Sequence, residues 1–395
     1  MTKSTSQLLT KEFILLSVSS LLFFGSFNMI IPELPDYLTS LGGAEYKGYI
    51  ISLFTITAAI SRPFSGKLTD TIGRVPIMIF GASVAFFVGI AYPIFTTVLG
   101  FMFLRLIHGF STGFKPTGTS AYVADIIPED KRGEAMGFLG MASSLGMALG
   151  PTIGPLITST YGYDVLFYFS GSIALLSIII LFNLKETLAP EKRKKFSFKL
   201  LKINKDDFFE PRVIAPAIVF LLSTFSFGLL LTIIPDISNH LNIDNKGIYF
   251  TIFILSSLAI RFIAGRASDL HGRIPIVLIS MILLIISMLL LTFVQTKITF
   301  YISAIVYGLS LGMSSPTVFA WTVDLSDPKK IGRAFATMYI ALEVGIGIGA
   351  FVSAKIYSNN SDNIGYTFAS GAITAVFALI YSTIKYRAKL RESRH

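Results

Sequence analysis

The stretch Gly66-Lys67-Leu68-Thr69-Asp70-Thr71-Ile72-Gly73-Arg74-Val75-Pro76 occurs twice in this chain. It returns as Gly265-Arg266-Ala267-Ser268-Asp269-Leu270-His271-Gly272-Arg273-Ile274-Pro275. The offset is constant: 265 − 66, 269 − 70, 273 − 74 and 275 − 76 all give 199. The same offset pairs Lys47 with Lys246, Arg62 with Arg261, Gly109 with Gly308, Asp125 with Asp324 and Gly150 with Gly349. One ungapped register held over about a hundred residues marks an internal duplication. The fold must therefore be one that two copies of a half can build.

Composition says in which solvent. Of 395 residues, 53% are hydrophobic and only 14% are charged, against about 45–50% and about 25% in soluble domains. A soluble fold has too little interior for so much apolar surface, so the surrounding medium is lipid. The net charge of +10 could suggest nucleic acid, but its placement excludes that reading. Of the 33 Lys and Arg, 25 fall in the N-terminus, in the alternate connections beginning at residue 66, and in the C-terminal tail. This is the positive-inside pattern, and it places both termini in the cytoplasm. With no cysteine and four scattered histidines, disulfides and thiolate chemistry are excluded, and neither a metal site nor a cofactor is expected. The first apolar run is longer than a signal-peptide core and carries no small-residue cleavage pattern, so it reads as a retained helix.

A membrane-spanning helix needs about 20 mostly apolar residues, and the sequence accommodates twelve. In the first half they fall at 12–37, 47–66, 75–97, 99–122, 133–158 and 164–185; in the second at 213–238, 246–265, 274–294, 297–321, 333–357 and 364–386. The expected division is a six-helix bundle over 1–186, a polar cytoplasmic linker over 187–211 and a second bundle over 212–395. The linker carries Lys192-Arg193-Lys194-Lys195 and later Asp206-Asp207, and its basic residues suit contact with anionic headgroups. Trp321, at the inner end of the tenth segment, reads as an interfacial anchor.

Gly66-x-Leu68-x-Asp70-x-x-Gly73-Arg74 resembles the signature loop of the major facilitator superfamily, and its second copy lies where that family has one. Leu104-Arg105-Leu106-Ile107-His108-Gly109 resembles the family's buried-arginine motif, with His108 where glutamine is common. Gly146-Met147-Ala148-Leu149-Gly150-Pro151-Thr152-Ile153-Gly154-Pro155 is similar to the glycine–proline motif of the drug/proton antiporter branch, although Pro155 stands where that pattern has glycine. The resemblance covers essentially the whole chain. It implies an all-α membrane protein, twelve transmembrane helices in two pseudo-symmetric six-helix bundles around a central cavity, monomeric and working by alternating access.

Each candidate residue follows from where its chemistry sits. Asp70 and Arg74, with Gly66, Gly73 and Asp125, and their copies Asp269, Arg273 and Asp324, could form a conformational latch. Gly66 would permit close helix approach, Asp70 would face the positive end of a helix from the other half, and Arg74 would pair with Asp125 and Arg273 with Asp324. On the fourth segment Arg105, His108, Thr112, Lys115 and Thr119 recur every three or four residues and share one face. By the resemblance that face lines the cavity, together with Asn28, Phe24, Phe227 and Tyr307. Glu33 and Arg105 lie at similar depth and could pair. Lys115 could favour anionic or zwitterionic substrates, or snorkel towards the inner interface. Glu343 sits about ten residues into the eleventh segment, roughly mid-membrane. Apolar surroundings favour the neutral form of a carboxyl group, so Glu343 is the first candidate for carrying a proton, followed by Glu33 and Asp36. Asp36 and Asp236, near the outer surface, read as solvated or capping. Gly146, Gly150 and Gly154 would let the fifth segment pack on a helix of the other half, and Pro151 and Pro155 invite a kink. The functional expectation is proton-driven export of a small organic molecule or drug across the cytoplasmic membrane. A proton-coupled importer is the alternative, and a channel or a transport-dead sensor lies further off. The partners are the substrate, protons and the bilayer; the residues do not name the substrate.

Overall fold

The computed structural model describes residues 10–128, 131–202, 209–327 and 331–392, and within them the chain is built of helices. The twelve long ones are α1 Lys11–Ile30, α2 Lys47–Thr71, α3 Arg74–Ala91, α4 Val98–Ile126, α5 Arg132–Tyr161, α6 Tyr163–Phe182, α7 Ile214–His240, α8 Ile248–His271, α9 Arg273–Thr292, α10 Lys297–Leu325, α11 Ile331–Tyr357 and α12 Ile364–Glu392. Among the described residues, nine of these are long and apolar enough to cross a membrane, and a tenth, α8, qualifies across a 46° bend. The two that fall short are α2 and α4, which carry the internal charges Arg62, Arg105 and Lys115.

Duplication extends to the helix ends. Thr97 accepts the Gly100 amide at the start of α4, and Thr296, 199 residues later, accepts the Thr299 amide at the start of α10. Each satisfies one of the amides that a first helical turn leaves without a partner. The repeated turn is shorter than its sequence suggests. Helix α2 does not stop at residue 66 but runs to Thr71, with the Ile72 amide bonded to the Leu68 carbonyl at 2.8 Å and Thr71 Oγ1 to the Lys67 carbonyl at 2.8 Å. Only Ile72 and Gly73 separate α2 from α3. Gly73 makes the reversal at φ 139° and Gly272 makes the second at φ 89°, backbone settings open to glycine and disfavoured for side-chain-bearing residues. The first apolar run, expected whole over 12–37, breaks after α1 into a 3-10 turn, Ile31–Glu33, and a short helix, Leu34–Ser40. Pro32 and Pro35 withhold the amides that would have continued it.

By packing, the described residues form two units: 10–37 with 56–202, and 38–55 with 209–392. This differs from the expected boundaries at 186 and 212. Residues 38–55 belong by sequence to the first copy but lie against α7 and α11. Lys47 Nζ is 2.9 Å from Asp236 Oδ1, Ser52 Oγ donates to the Gly347 carbonyl at 3.1 Å, and Asn359 Nδ2 donates to the Ala44 carbonyl at 2.9 Å. Asp236 is therefore ion-paired and 9% exposed, not solvated as its position near the surface suggested.

In the first unit α1 packs on α5 and α6, and α3 on α4 and α6. The second repeats the scheme, α7 on α11 and α12, α9 on α10 and α12. The glycines of α5 serve this packing. A Cβ at Gly146, Gly150 or Gly154 would meet the α1 backbone at Leu21, Gly25 or Met29. They seat α5 on a helix of its own unit, which corrects the expectation that they face the other half. Pro151 and Pro155 sit inside a helix that continues to Tyr161. Trp321 is 7% exposed, so it is a core residue of the second unit and not an interfacial anchor. In the linker, residues up to 202 are fastened to the first unit by the Lys194 amide on the Thr71 carbonyl at 2.7 Å. Asp206 and Asp207 lie outside the described residues.

Candidate functional site

Three groups of polar side chains stand out against the apolar helices. The first surrounds the repeated turn. Arg74 Nε donates to Asp125 Oδ2 at 2.8 Å, while its Nη1 reaches the Thr69 carbonyl at 2.7 Å and Asp70 Oδ1 at 3.2 Å. The second copy repeats the arrangement: Arg273 Nε meets Asp324 Oδ2 at 2.9 Å, and Nη1 meets Ser268 Oγ at 3.0 Å and the Asp269 carboxylate. An arginine at the start of one helix thus ties together the end of the helix before it and the end of the helix after it. Desolvation at the helix end pushes the Asp70 carboxyl above its ordinary value, with Arg74 opposing and Asp125 adding to the rise. The side chain keeps 73% of its surface exposed, so water screens much of that effect. A Cβ added at Gly66 would meet nothing within 4 Å among the described residues. The close approach expected at Gly66 is therefore absent there, and Gly73 is the position where space is short.

What fills that space is Glu186, a residue that no repeat or motif singles out. Its carboxylate accepts the amides of Arg74 at 3.1 Å, Val75 at 2.9 Å and Leu188 at 2.7 Å. The first two are otherwise unsatisfied donors at the start of α3, where a negative charge also complements the helix dipole. Next to it Thr187 Oγ1 donates to Asp125 Oδ2 at 2.6 Å. The beginning of the linker is thereby bonded to both partners of the first ion pair.

The second group is the polar face of α4. Arg105, 2% exposed, lies 3.2 Å from the Tyr92 hydroxyl and 3.4 Å from His108 Nδ1, and Tyr92 and His108 are themselves 3.3 Å apart. Tyr92 stacks on Phe167 at 4.8 Å, and His108 faces the edge of Phe27 at 6.4 Å. Tyr92 was not anticipated. Thr112 donates to the Gly109 carbonyl one turn back, and Asn28 to the Phe24 carbonyl at 2.7 Å, so both turn their donors onto their own helices. Lys115 is 1% exposed, with Nζ 3.4 Å from Ser20 Oγ and 4.8 Å from the centre of the Phe23 ring. Phe23, Phe24 and Phe27 form one cluster, with ring centres 5.4–5.8 Å apart.

The third group belongs to the second unit. Glu343 lies twelve residues into the 27-residue helix α11 and is 6% exposed. Phe227 stacks with Tyr307 at 6.5 Å, and both meet Phe253 edge-on. In the first unit, Glu33 is buried at 3% exposure and Asp36 is half-buried. Among the described residues no group of three or more His, Asp or Glu side chains could hold a metal ion.

The helix-end ion pair is thus present once in each of two six-helix repeats. The sequence profile of the Major Facilitator Superfamily matches residues 16–235 and again 216–394. The chain belongs to that superfamily. Like other members it is a multi-pass membrane transporter of small substrates and not an enzyme. Among its relatives, Multidrug resistance protein 2 of Bacillus subtilis is 34% identical over 200 residues, covering 50% of this chain and 49% of that one. The multi-drug resistance efflux pump PmrA of Streptococcus pneumoniae is 25% identical over 381 residues, covering 93% of this chain and 94% of the pump. Among solved structures, that of a D-xylose-proton symporter superposes with a TM-score of 0.76 at 18% identity, over 94% of this chain and 96% of that one. That last likeness shows the superfamily fold, while the efflux relatives place the chain beside the drug/proton antiporter branch.

Proposed function

We propose that this transporter exports small organic molecules from the cytoplasm, each outward step driven by protons moving in. The observation that carries the reading is Glu343, a carboxyl group at 6% exposure in the middle of a membrane-spanning helix. A charge there is costly, and a group that is kept despite the cost defaults to a functional role. Similarity to an efflux pump over 93% of the chain supports the outward direction. Protonation of Glu343 and occupancy by substrate favour opposite-facing forms, so a proton gradient turns the cycle. Glu33 and Asp36 are the secondary proton sites.

The Arg74–Asp125 and Arg273–Asp324 pairs, with Gly66, Gly73, Asp70 and Asp269 around them, form the cytoplasmic latch of the cycle, with both termini on the same side. Asn28, Arg105, His108, Thr112, Lys115, Phe24, Phe227 and Tyr307 line the transport path. Gly146, Gly150, Pro151, Gly154 and Pro155 set how the first unit flexes. The working unit is a monomer.

The test is transport in inverted membrane vesicles under an imposed pH gradient, with wild type and Glu343→Gln. Wild type should accumulate a fluorescent efflux substrate when the lumen is acid. Glu343→Gln should abolish gradient-driven accumulation while still exchanging substrate for substrate. Undiminished accumulation by the variant would remove Glu343 as the carrier, and accumulation only with the gradient reversed would mean an importer.

A further inference from the structure

The first part of the linker is folded along the first unit as a strap with two unlike faces. It is pinned in three places. Glu186 accepts the amides at the start of α3, the Lys194 amide donates to the Thr71 carbonyl at 2.7 Å, and Lys67 Nζ donates to the Lys202 carbonyl at 2.5 Å. Between the last two pins, Leu200 and Leu201 turn inward and pack against the buried cluster of Leu68, Ile77 and Phe114. Phe196 and Phe198 turn outward. They are 55% and 82% exposed, and their rings meet edge-on with centres 5.6 Å apart. Two phenyl rings left bare beside a segment that tucks in its leucines mark a surface made for contact.

The helices fix the level at which this face stands. Helix α3 has 18 residues, roughly 27 Å at about 1.5 Å per residue, close to the ~30 Å of hydrocarbon it must cross. Arg74, its first residue, therefore marks the inner edge of the hydrocarbon, and Ile77 lies one turn inside it. A strap whose leucines reach the cluster around Ile77 runs along that edge and not out in the aqueous phase. Phe114 of the same cluster is 4.7 Å from Phe80, which is 47% exposed on the span itself. The surface beneath the strap thus continues into one that faces lipid.

Residues 191–202 hold six Lys and Arg against one acid, Glu191, and the structure sorts them. Arg193 is used inside the strap, its Nε donating to the Leu188 carbonyl at 2.7 Å and its Nη2 to the Glu186 carbonyl at 3.4 Å. Lys194, Lys195 and Lys199 flank the two rings, are exposed, and have no ion-pair partner among the described residues. We infer that the strap is a docking surface for an anionic lipid leaflet. Phe196 and Phe198 enter the boundary between headgroups and acyl chains, while Lys194, Lys195 and Lys199 hold lipid phosphates. Beyond the headgroup contact that the basic residues alone suggest, the structure supplies the paired rings, the level and the outward side. What the protein transports, and in which direction, has no bearing on this contact.

The chain has no cysteine, so Phe198→Cys gives the full-length protein a single attachment point for the environment-sensitive fluorophore NBD, at an exposed position. The labelled protein is placed in nanodiscs of phosphatidylcholine alone, or of phosphatidylcholine mixed equally with phosphatidylglycerol. In the mixture, emission should shift to the blue, rise about twofold over its value in phosphatidylcholine, and be quenched by bromine on the acyl chains. Concentrated salt should reverse the difference. Changing Lys194, Lys195 and Lys199 together to Gln should abolish it while leaving the melting temperature in detergent at the wild-type value, and changing the same three to Arg should keep it. Equal emission in the two lipids, a probe that acyl-chain bromine never reaches, or a lipid difference that survives the triple Gln variant would overturn the inference. A probe that stays in water in both lipids would assign the strap instead to an acidic protein segment.

Discussion

Glu186 is a single side chain with three backbone amides on it, and its removal is the most informative point change at the repeated turn. Glu186→Ala leaves the Arg74 and Val75 amides without their acceptor at the start of α3, a loss of about 1–3 kcal/mol by analogy with helix caps and stranded donors. Thermal unfolding in detergent should register it as a lowered midpoint, with Glu186→Asp recovering part and a full-height midpoint in Glu186→Ala refuting the role. Arg74 and Asp125 could be paired on paper because Arg273 and Asp324 repeat them at the same offset. The position 199 residues after Glu186 is Lys385, and after Tyr92 it is Leu291. Both are contacts of one copy only, and nothing in composition or periodicity distinguishes them. Asn28 and Thr112 were legible as polar residues on the right helices. Where their donors point is a local backbone matter that spacing does not encode.

Among the elements, α5 and α11 were the most readable as helices and the least readable as neighbours. A glycine every four residues announces a face that something approaches closely, but not what approaches it. In α5 the answer is α1, and in α11 it is α7, where Gly345 and Gly349 meet the Leu221 and Phe225 carbonyls. Filling that seam should be costly, since overpacking forces backbone shifts worth about 1–3 kcal/mol or more. Gly150→Leu should cut the yield of folded protein from membranes and lower its melting point, whereas Gly137→Ala, whose added Cβ would meet nothing within 4 Å among the described residues, should be neutral. Equal tolerance at both sites would show that α1 and α5 are not in tight contact. The ends of α2 and α8 were misplaced for a related reason. Gly66 and Gly265, with polar residues after them, read as turn, yet the helical hydrogen bonds continue past both until Gly73 and Gly272 reverse the chain.

The molecule as a whole carries its duplication in sequence more strictly than in packing. Twelve helices, their order and the twin ion pairs followed from the 199-residue register, and the long apolar segments made their number plain. The assignment of residues 38–55 to the second packing unit did not follow, because a contact between distant segments leaves no trace in either alone. If the twin pairs act as a latch, Asp70→Asn should slow efflux in vesicles while the amount of inserted protein stays unchanged; loss of the protein from the membrane would instead make the turn a folding element. The Lys47–Asp236 pair tests the packing itself. Lys47→Met removes the cation 2.9 Å from a carboxylate at 9% exposure and should lower the melting point, and Lys47→Met with Asp236→Leu should recover part of the loss. Additive losses in the double variant would argue against a direct pair.

Residues 47–55 give the ancestry of this chain an unexpected limit. A polypeptide ending at the linker would hold one full ancestral repeat, yet the first two and a half turns of its second helix would have left their neighbours behind. Lys47 would lose its acid, and the Ser52 hydroxyl would lose the Gly347 carbonyl. Neither repeat can be cut out and expected to stand alone, and a split version should assemble only when both fragments are made together.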